Sequence, residues 1–316
     1  MSEVKKIATR ESYGQTLVEL GAENPDIVVM DADLAAATKT GVFGKAYPDR
    51  FFDVGIAEGN MMGIAAGLAA SGKIPFASSF AMFATGRAYE QIRNSIGYPK
   101  LNVKICASHA GITVGEDGAS HQCLEDIALM RSIPGMVVMN PADDIEAKAA
   151  VRAAAEYEGP VYIRLGRAAV PVINDRPDYK FEWGKGIKIQ DGKDVTLVAT
   201  GTMVNSAMEA AKMLEADGVS VEILDIHTIK PLDEDMIIES AKKTGKVVTL
   251  EEHSVIGGLG SAVCEALSEK HPTLVKKIGV YDTFGESGSA AVLMEKYELD
   301  GKGVYRQVKE FLDGLK

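Results

Sequence analysis

The sequence predicts two α/β domains, each built on a parallel sheet with helices on both faces. Three observations lead to this prediction: a length of 316 residues, apolar strand-like runs that alternate with helical patterns, and one break in that alternation. A chain of this length exceeds one compact core and suits two domains of about 100–200 residues each. Alternating strands and helices imply crossover connections, which place parallel strands side by side.

The first domain is predicted at residues 1–168 and carries the longer series of alternating elements. Its predicted strands are Asp26–Met30, Lys73–Ser79, Val103–Ser108, Met136–Met139 and Pro160–Arg164. Its predicted helices are Arg10–Ala22, Asn60–Ala70, Gly86–Ile96, Cys123–Ser132 and Asp143–Tyr157. These assignments rest on the spacing of apolar residues and on turn formers at the ends of each run.

A linker at residues 169–193 and a smaller second domain at 194–316 follow. The linker holds Pro171 and Pro177, which interrupt regular structure, and a short strand-like run at Gly186–Gln190. The predicted strands of the second domain are Val195–Ala199, Val219–Ile226, Lys246–Leu250 and Val275–Val280. The predicted helices are Val204–Ala216, Asp233–Thr244, Leu259–Glu269 and Gly303–Leu315.

Composition limits the classes of partner. The formal net charge is −11, and a negative field repels a phosphate backbone, so no nucleic acid partner is expected. No signal-peptide pattern and no long uncharged apolar run is present, which predicts a cytoplasmic protein without a membrane segment. The scattered Cys106, Cys123 and Cys264 show no metal-ligand spacing, so they are interpreted as small buried residues and no metal site is predicted.

The first polar cluster is the string DVGIAEGNMMGIAAGLAA, in which Glu58 begins a predicted helix of small and apolar residues. A carboxylate there interacts favourably with the helix dipole, so a structural role as a helix cap is one interpretation. The glycines and alanines that follow favour another, because they give up helix propensity and allow a second backbone to approach closely.

The second cluster is a Gly-rich loop, SHAGITVGEDGASHQ, which contains His109, Glu116, Asp117 and His121. Ligands of parallel α/β sheets bind where strands end, and this loop follows a predicted strand. Imidazoles and carboxylates together suit acid–base chemistry near neutral pH, although a solvated loop that caps the next helix is the simpler alternative. Glu251–His253, at a strand end of the second domain, are interpreted as polar loop residues.

Seven strings in this order resemble the C-terminal half of the transketolase family and, more loosely, its thiamine diphosphate-dependent relatives. They are KKIATRESYGQTL, DADL, DVGIAEGN, SFAMF, GEDGASHQ, ILDIHTIKPLD and GGLGSAV. The resemblance implies a pyrimidine-binding domain followed by the family's C-terminal domain. It also implies a thiamine diphosphate cofactor.

For the cofactor, the resemblance implies that Glu58 hydrogen-bonds a ring nitrogen of the aminopyrimidine and thereby promotes loss of the thiazolium proton. It implies that Phe80 and Phe83 stack against the aminopyrimidine and that Asp33 contacts the cofactor. Gly86 stands where the family has a third aromatic residue, which is a departure from the pattern.

For the substrate, the resemblance implies that His121 handles protons on the sugar oxygens and that Asp117 recognises the hydroxyl beside the acceptor aldehyde. Arg10, His109 and Arg164 match positions that hold the sugar phosphate, and Arg167 competes with Arg164 for that assignment. Ala37 replaces a serine that the family often uses on the phosphate.

The resemblance further implies a partner. The GDG motif with a following Asn, which ligates Mg²⁺ (or Ca²⁺) at the diphosphate in complete transketolases, does not occur in this sequence. We therefore expect a companion N-terminal transketolase subunit to supply the metal site. Two copies of this chain are expected to pair as a homodimer, giving a heterotetramer with two companions.

The predicted activity is transfer of a two-carbon ketol unit from a ketose phosphate to an aldose phosphate. One alternative is the beta subunit of a 2-oxo acid dehydrogenase, although the GEDG stretch favours transketolase. A second is a 1-deoxyxylulose-5-phosphate synthase-like half, suggested by the string RAYEQ at 87–91. A third is a non-catalytic paralogue, against which the joint presence of Glu58, Asp117 and His121 argues.

Overall fold

The computed structural model describes residues 5–315, and within them the chain forms two α/β domains that pack closely together. The strands of the first domain are β1 (Lys6–Ala8), β2 (Ile27–Asp31), β3 (Phe51–Asp53), β4 (Ile74–Ser78), β5 (Lys104–Ala107), β6 (Val137–Met139), β7 (Val161–Arg164) and β8 (Ala169–Pro171). The strands β2 to β7 lie in one sheet and run parallel to their neighbours. The predicted parallel sheet is confirmed.

Helices cover both faces of this sheet. They are α1 (Thr9–Glu23), α2 (Ala35–Thr38), α3 (Gly41–Ala46), α4 (Glu58–Ala70), α5 (Tyr89–Gln91), α6 (Asp126–Arg131) and α7 (Asp144–Glu156). Short 3-10 turns occupy Pro48–Arg50 and Ile112–Asp117, and π-helical turns occupy Met82–Arg87 and Ile92–Gly97. The helix predicted at Gly86–Ile96 therefore exists as a longer, partly π-helical segment that begins at Met82.

The second domain repeats the alternation on a smaller scale. Its strands are β9 (Ile187–Gln190), β10 (Val195–Ala199), β11 (Val221–Asp225), β12 (Thr228–Lys230), β13 (Lys246–Ser254) and β14 (Leu274–Val280). Its helices are α8 (Met203–Ala216), α9 (Glu234–Thr244), α10 (Leu259–Lys270), α11 (Ala290–Lys296) and α12 (Gly301–Asp313). The sheet order is β14-β13-β10-β11-β9.

Two edge strands differ from a purely parallel arrangement. The strand β9, which the sequence analysis assigns to the linker, pairs antiparallel with β11 and so belongs to the second sheet. The strand β12 leaves the second domain and pairs antiparallel with β6, at the edge of the first sheet. The two domains consequently share backbone hydrogen bonds as well as side-chain packing.

A continuous apolar core joins the domains. One cluster of buried residues contains Ile105 and Tyr162 from the first sheet together with Val198 and Leu224 from the second. Because protein interiors are close-packed, such a core transmits the position of one domain to the other. No helix among residues 5–315 is long and apolar enough to cross a membrane.

Two buried carboxyl groups, Glu146 in α7 and Asp225 at the end of β11, lie at this junction. Burial raises the pKa of each well above its ordinary value, and the negative charges of Asp225 and Asp143 add to the effect on Glu146. A carboxyl group with a raised folded-state pKa gives stability that is complete below its unfolded pKa of about 4.3. That stability is lost as the pH rises through the folded value.

Replacing Glu146 by Gln should therefore stabilise the protein at alkaline pH. The amide oxygen can still accept the Ala142 N–H bond, which the carboxylate accepts at 2.7 Å, and it carries no charge to bury. We expect the free energy of unfolding at pH 9 to rise by about 1–2 kcal/mol, with no gain near pH 4. Denaturant titrations across this range measure the effect, with the exposed Glu156→Gln in the same helix as the control. Parallel pH profiles for Glu146→Gln and the wild type would contradict the prediction.

Candidate functional site

The carboxyl ends of β2, β4, β5 and β7 meet at one edge of the first sheet. Predicted site residues follow three of these strands directly: Asp33 follows β2, Phe80 follows β4, and His109 follows β5. This edge of a parallel sheet is where ligands bind in α/β proteins, because the loops that leave it converge there.

Glu58 is the first residue of α4 and is 2% exposed. Nη1 of Arg87 donates to both of its carboxylate oxygens at 2.9 Å. The Arg87 side chain is itself 52% exposed, and its guanidinium carbon lies 4.7 Å from the centre of the Phe83 ring. The carboxylate is thus withdrawn from water and paired with a half-exposed cation.

A group of aromatic and imidazole rings lies beside this carboxylate. The rings of Phe80 and Phe83 are stacked with centroids 6.0 Å apart, and His109 stacks on Phe80 at 3.8 Å. His121 meets Phe83 edge-on at 5.2 Å. Two apolar rings, of which Phe80 is 7% exposed, are therefore packed together with two imidazoles, in the stacked and edge-on arrangements that aromatic rings prefer.

His109 is buried and has a left-handed backbone, with φ of 57°. Its Nδ1 lies 2.8 Å from Oγ of Ser108, and its Nε2 lies 3.4 Å from Nη1 of Arg10. Burial, and then the positive charges of Arg10 and Arg167, lower the pKa of His109 to about 3. This imidazole is consequently neutral at physiological pH, so it offers hydrogen bonds rather than charge.

Positive charge in this region comes from Arg10, Lys39 and Arg167, all of which lower the pKa of His109. Arg10 donates to the carbonyl of Ala37 at 2.8 Å. Arg167 donates to the carbonyl of Val114 at 2.6 Å. Lys39 had no predicted role in the site, because it lies outside the strings that carry the resemblance.

Arg164 lies elsewhere. Its side chain is 4% exposed, and Nε donates to Asp126 at 2.8 Å. Nη2 donates to the carbonyl of Glu252 in the second domain at 2.8 Å. Arg164 was predicted to bind the sugar phosphate. In the structure its guanidinium instead donates hydrogen bonds to both domains and so joins them. Of the two competing arginines, Arg167 is the one whose positive charge lowers the pKa of both Arg10 and His109.

The two remaining predicted residues lie on exposed loops. Asp33 has a left-handed backbone with φ of 63°, and the buried Asp31 carboxylate orders its loop by accepting the Leu34 N–H at 2.6 Å. Asp117 is exposed at the end of the 3-10 turns, and the half-buried His121 contacts Ser120 through Nδ1 at 3.0 Å.

The structure thus brings together Phe80, Phe83, His109, His121 and Arg10, and it connects Glu58 to them through Arg87. Arg87 had no predicted role in this site, because the string RAYEQ, which it begins, was connected only with the synthase alternative. Within residues 5–315, no group of three or more His, Cys, Asp or Glu side chains could hold a metal ion.

Comparisons with known proteins identify the family of the chain. A family model described as the transketolase pyrimidine binding domain matches residues 5–172, and one described as the transketolase C-terminal domain matches residues 184–304. The chain belongs to the transketolase family. Because the matched models are the last two domains of that family, the predicted resemblance to its C-terminal half is confirmed.

Individual relatives support the same assignment. A putative transketolase C-terminal section of Methanocaldococcus jannaschii is 52% identical over 305 residues and covers 95% of both chains. A 6-deoxy-6-sulfo-D-fructose transketolase subunit of Clostridium sp. is 45% identical, covering 95% of this chain and 93% of that protein. A solved structure described as a split gene transketolase, inactive beta4 tetramer, is 59% identical, with a TM-score of 0.90 over 97% of this chain and 99% of that chain.

Proposed function

We propose that this chain is the C-terminal subunit of a split transketolase, which moves a two-carbon ketol unit from a ketose phosphate to an aldose phosphate. The observation that carries the proposal is the grouping of a buried carboxylate, a pair of stacked phenylalanines, two imidazoles and a cationic cluster at one sheet edge. Transketolases depend on thiamine diphosphate.

The residues fit the pyrimidine end of that cofactor. Glu58 offers a carboxyl group that is 2% exposed, and a proton shared with a ring nitrogen gains strength where water is excluded. Phe80 and Phe83 would hold the ring by stacking, which adds about 0.5–1.5 kcal/mol. When bound, thiamine diphosphate supplies the carbon nucleophile and electron sink that ketol transfer needs. We assign the Mg²⁺ ligands to the companion subunit.

Arg87 would compete with the cofactor for the same contacts. Its guanidinium contacts both the Glu58 carboxylate and the Phe83 ring, which are contacts that the aminopyrimidine would make. We expect Arg87→Ala to tighten thiamine diphosphate binding to the assembled complex by about 2- to 5-fold, because the variant no longer has to break a half-exposed ion pair before the cofactor binds. Titration calorimetry measures this change, and weaker binding by the variant would make Arg87 a cofactor ligand instead.

The substrate would lie between the rings and the cations. Nδ1 of His121 forms a hydrogen bond with the Ser120 hydroxyl. Its Nε2 would then exchange protons with the sugar oxygens. Asp117, exposed on the same loop, would accept a hydrogen bond from the hydroxyl beside the acceptor aldehyde. Arg10 and Arg167 would bind the sugar phosphate by charge-assisted hydrogen bonds, with His109 adding a neutral one.

Replacing Arg167 and Arg164 separately tests the phosphate assignment. We expect Arg167→Ala to weaken the binding of phosphorylated sugars by about 1.5–3 kcal/mol. The binding of unphosphorylated analogues should be nearly unaffected. Arg164→Ala should instead destabilise the fold by about 3–5 kcal/mol, because it leaves the buried Asp126 carboxylate without its cation. Steady-state kinetics and denaturant unfolding separate the two effects. Equal losses with both substrate classes for Arg167→Ala would indicate a structural role.

Product analysis tests the proposed reaction. The chain is mixed with its companion subunit, thiamine diphosphate and Mg²⁺, and supplied with xylulose 5-phosphate and ribose 5-phosphate. Formation of sedoheptulose 7-phosphate supports the proposal. In a second assay the same mixture is supplied with pyruvate. Release of carbon dioxide would instead favour a dehydrogenase component or a deoxyxylulose phosphate synthase, and the product formed together with carbon dioxide distinguishes these two. Inactivity toward both substrate sets would favour a non-catalytic paralogue.

A further inference from the structure

The loop that carries Asp117 and precedes His121 is held from outside its own domain. Its 3-10 turns, Ile112–Asp117, break at Gly115, where φ is 84° and ψ is −121°. An irregular turn of this kind has few internal hydrogen bonds to define it, so its shape depends on its neighbours. Those neighbours include the second domain, which itself supplies none of the predicted site residues.

Gln122 is one link between the loop and that domain. Its side chain is buried, and the carbonyls of Ile112 at 3.2 Å and Gly115 at 3.4 Å share one of the two hydrogens of Nε2. The same nitrogen donates to the carbonyl of Glu286, in the segment before α11, at 2.9 Å. One amide group therefore fixes two points of the turn relative to the second domain.

Glu252, from β13, is the second link. Its side chain is buried, and Oε1 accepts the N–H of Thr113 at 2.5 Å. The carboxyl group fits against Gly111, where a Cβ atom would lie 2.4 Å from Oε1 and where φ is 80°. The backbone carbonyl of Glu252 in turn accepts from Arg164. A carboxylate of the second domain is thus built into the start of the turn.

We propose that Gln122 and Glu252 are positioning residues, through which the second domain sets the geometry of Asp117 and His121 for the acceptor sugar. The inference rests on the proposed function. Neither residue touches the substrate; each acts by holding the backbone on which the substrate-binding side chains stand. A site held within a fraction of an ångström discriminates between acceptors, whereas a loose site loses that selectivity.

Acceptor discrimination in the assembled complex is the first test. The measured quantity is the ratio of kcat/KM for ribose 5-phosphate to that for 2-deoxyribose 5-phosphate, which lacks the hydroxyl that Asp117 would bind. We expect Gln122→Leu and Glu252→Ala to reduce this ratio by about 10-fold. Glu252→Gln, which retains an acceptor oxygen for the Thr113 N–H, should recover most of it.

A matched control uses a contact between the domains that lies away from the loop. Nη1 of Arg131 donates to the carbonyl of Gly257 at 2.6 Å, so Arg131→Ala weakens domain packing without touching the turn. This variant should keep the wild-type ratio. An unchanged ratio in Gln122→Leu and Glu252→Ala would overturn the proposal, and so would an equal loss in Arg131→Ala.

Hydrogen exchange of the isolated chain tests the inference independently of activity. Amides of residues 112–118 should exchange at least about 10-fold faster in Gln122→Leu and Glu252→Ala than in the wild type or in Arg131→Ala. Equal exchange rates would overturn the positioning role. Failure of the assembled wild type to transfer ketol units would instead count against the proposed function, which keeps the two outcomes distinct.

Discussion

Purified alone, the chain should turn over no sugar phosphate, and activity should rise with added companion subunit until the two are present in about equal amounts. In the proposed function Glu58, Phe80 and Phe83 would bind the aminopyrimidine, but no group of three or more His, Cys, Asp or Glu side chains among the described residues could hold the metal ion at the diphosphate. A divalent cation needs oxygen ligands, and without it the diphosphate charge is not neutralised. Rates measured over a series of mixing ratios give the stoichiometry. Robust turnover by the isolated chain with thiamine diphosphate and Mg²⁺ would show that its activity does not depend on a companion subunit.

Assembly can be tested separately from catalysis. One face of α4 is exposed, and a Cβ atom at Gly63 or Gly67 would meet nothing within 4 Å in this chain. We propose that this face packs at the dimer interface between two copies of this chain. Gly63→Phe should therefore abolish assembly and activity while the isolated chain keeps its thermal transition, and sedimentation velocity would detect the loss. Unchanged assembly of Gly63→Phe would place the interface elsewhere.

The regular core of the fold was predictable because its strands are local apolar runs. The predicted strand Val195–Ala199 agrees with β10 at both ends, and the other central strands differ by a residue or a few. The short strand β12 was missed, because its pairing with β6 in the other domain depends on contacts distant in sequence. The π-helical turns from Met82 to Gly97 also left no distinctive pattern, since a slightly longer period is indistinguishable from an α-helix in a short segment.

In the site, too, features set by local sequence were predictable and features set by contacts distant in sequence were not. His109 and His121 share one Gly-rich loop, so their proximity could be expected from sequence alone. Arg164 and Arg167 could not be told apart in this way, because both follow the same apolar run. Arg164 ends β7 and meets Asp126 at the domain junction, whereas Arg167 lies in the loop beyond. The partners of the buried Arg164, Asp126 on α6 and the Glu252 carbonyl on β13, are distant from it in sequence.

Glu58→Gln should reduce turnover by at least about 100-fold, the usual contribution of a positioned acid–base group. The side chain keeps its shape, but an amide cannot share a proton with a ring nitrogen of the aminopyrimidine. Because Glu58 is 2% exposed, water is poorly placed to substitute for the missing carboxyl group. The fold should survive the change, since the partner of Glu58 is Arg87, which is half exposed and can be solvated.

Three measurements on the assembled complex make this prediction specific to the chemistry. Turnover is compared with that of Glu156→Gln, which changes an exposed glutamate far from the candidate site in sequence. Companion binding and the thermal transition should match the wild type in both variants, so that a loss of rate cannot be ascribed to unfolding or dissociation. Near-normal turnover in Glu58→Gln would remove the carboxyl group from the mechanism and leave Glu58 as a buried residue in the first turn of α4 that is paired with Arg87.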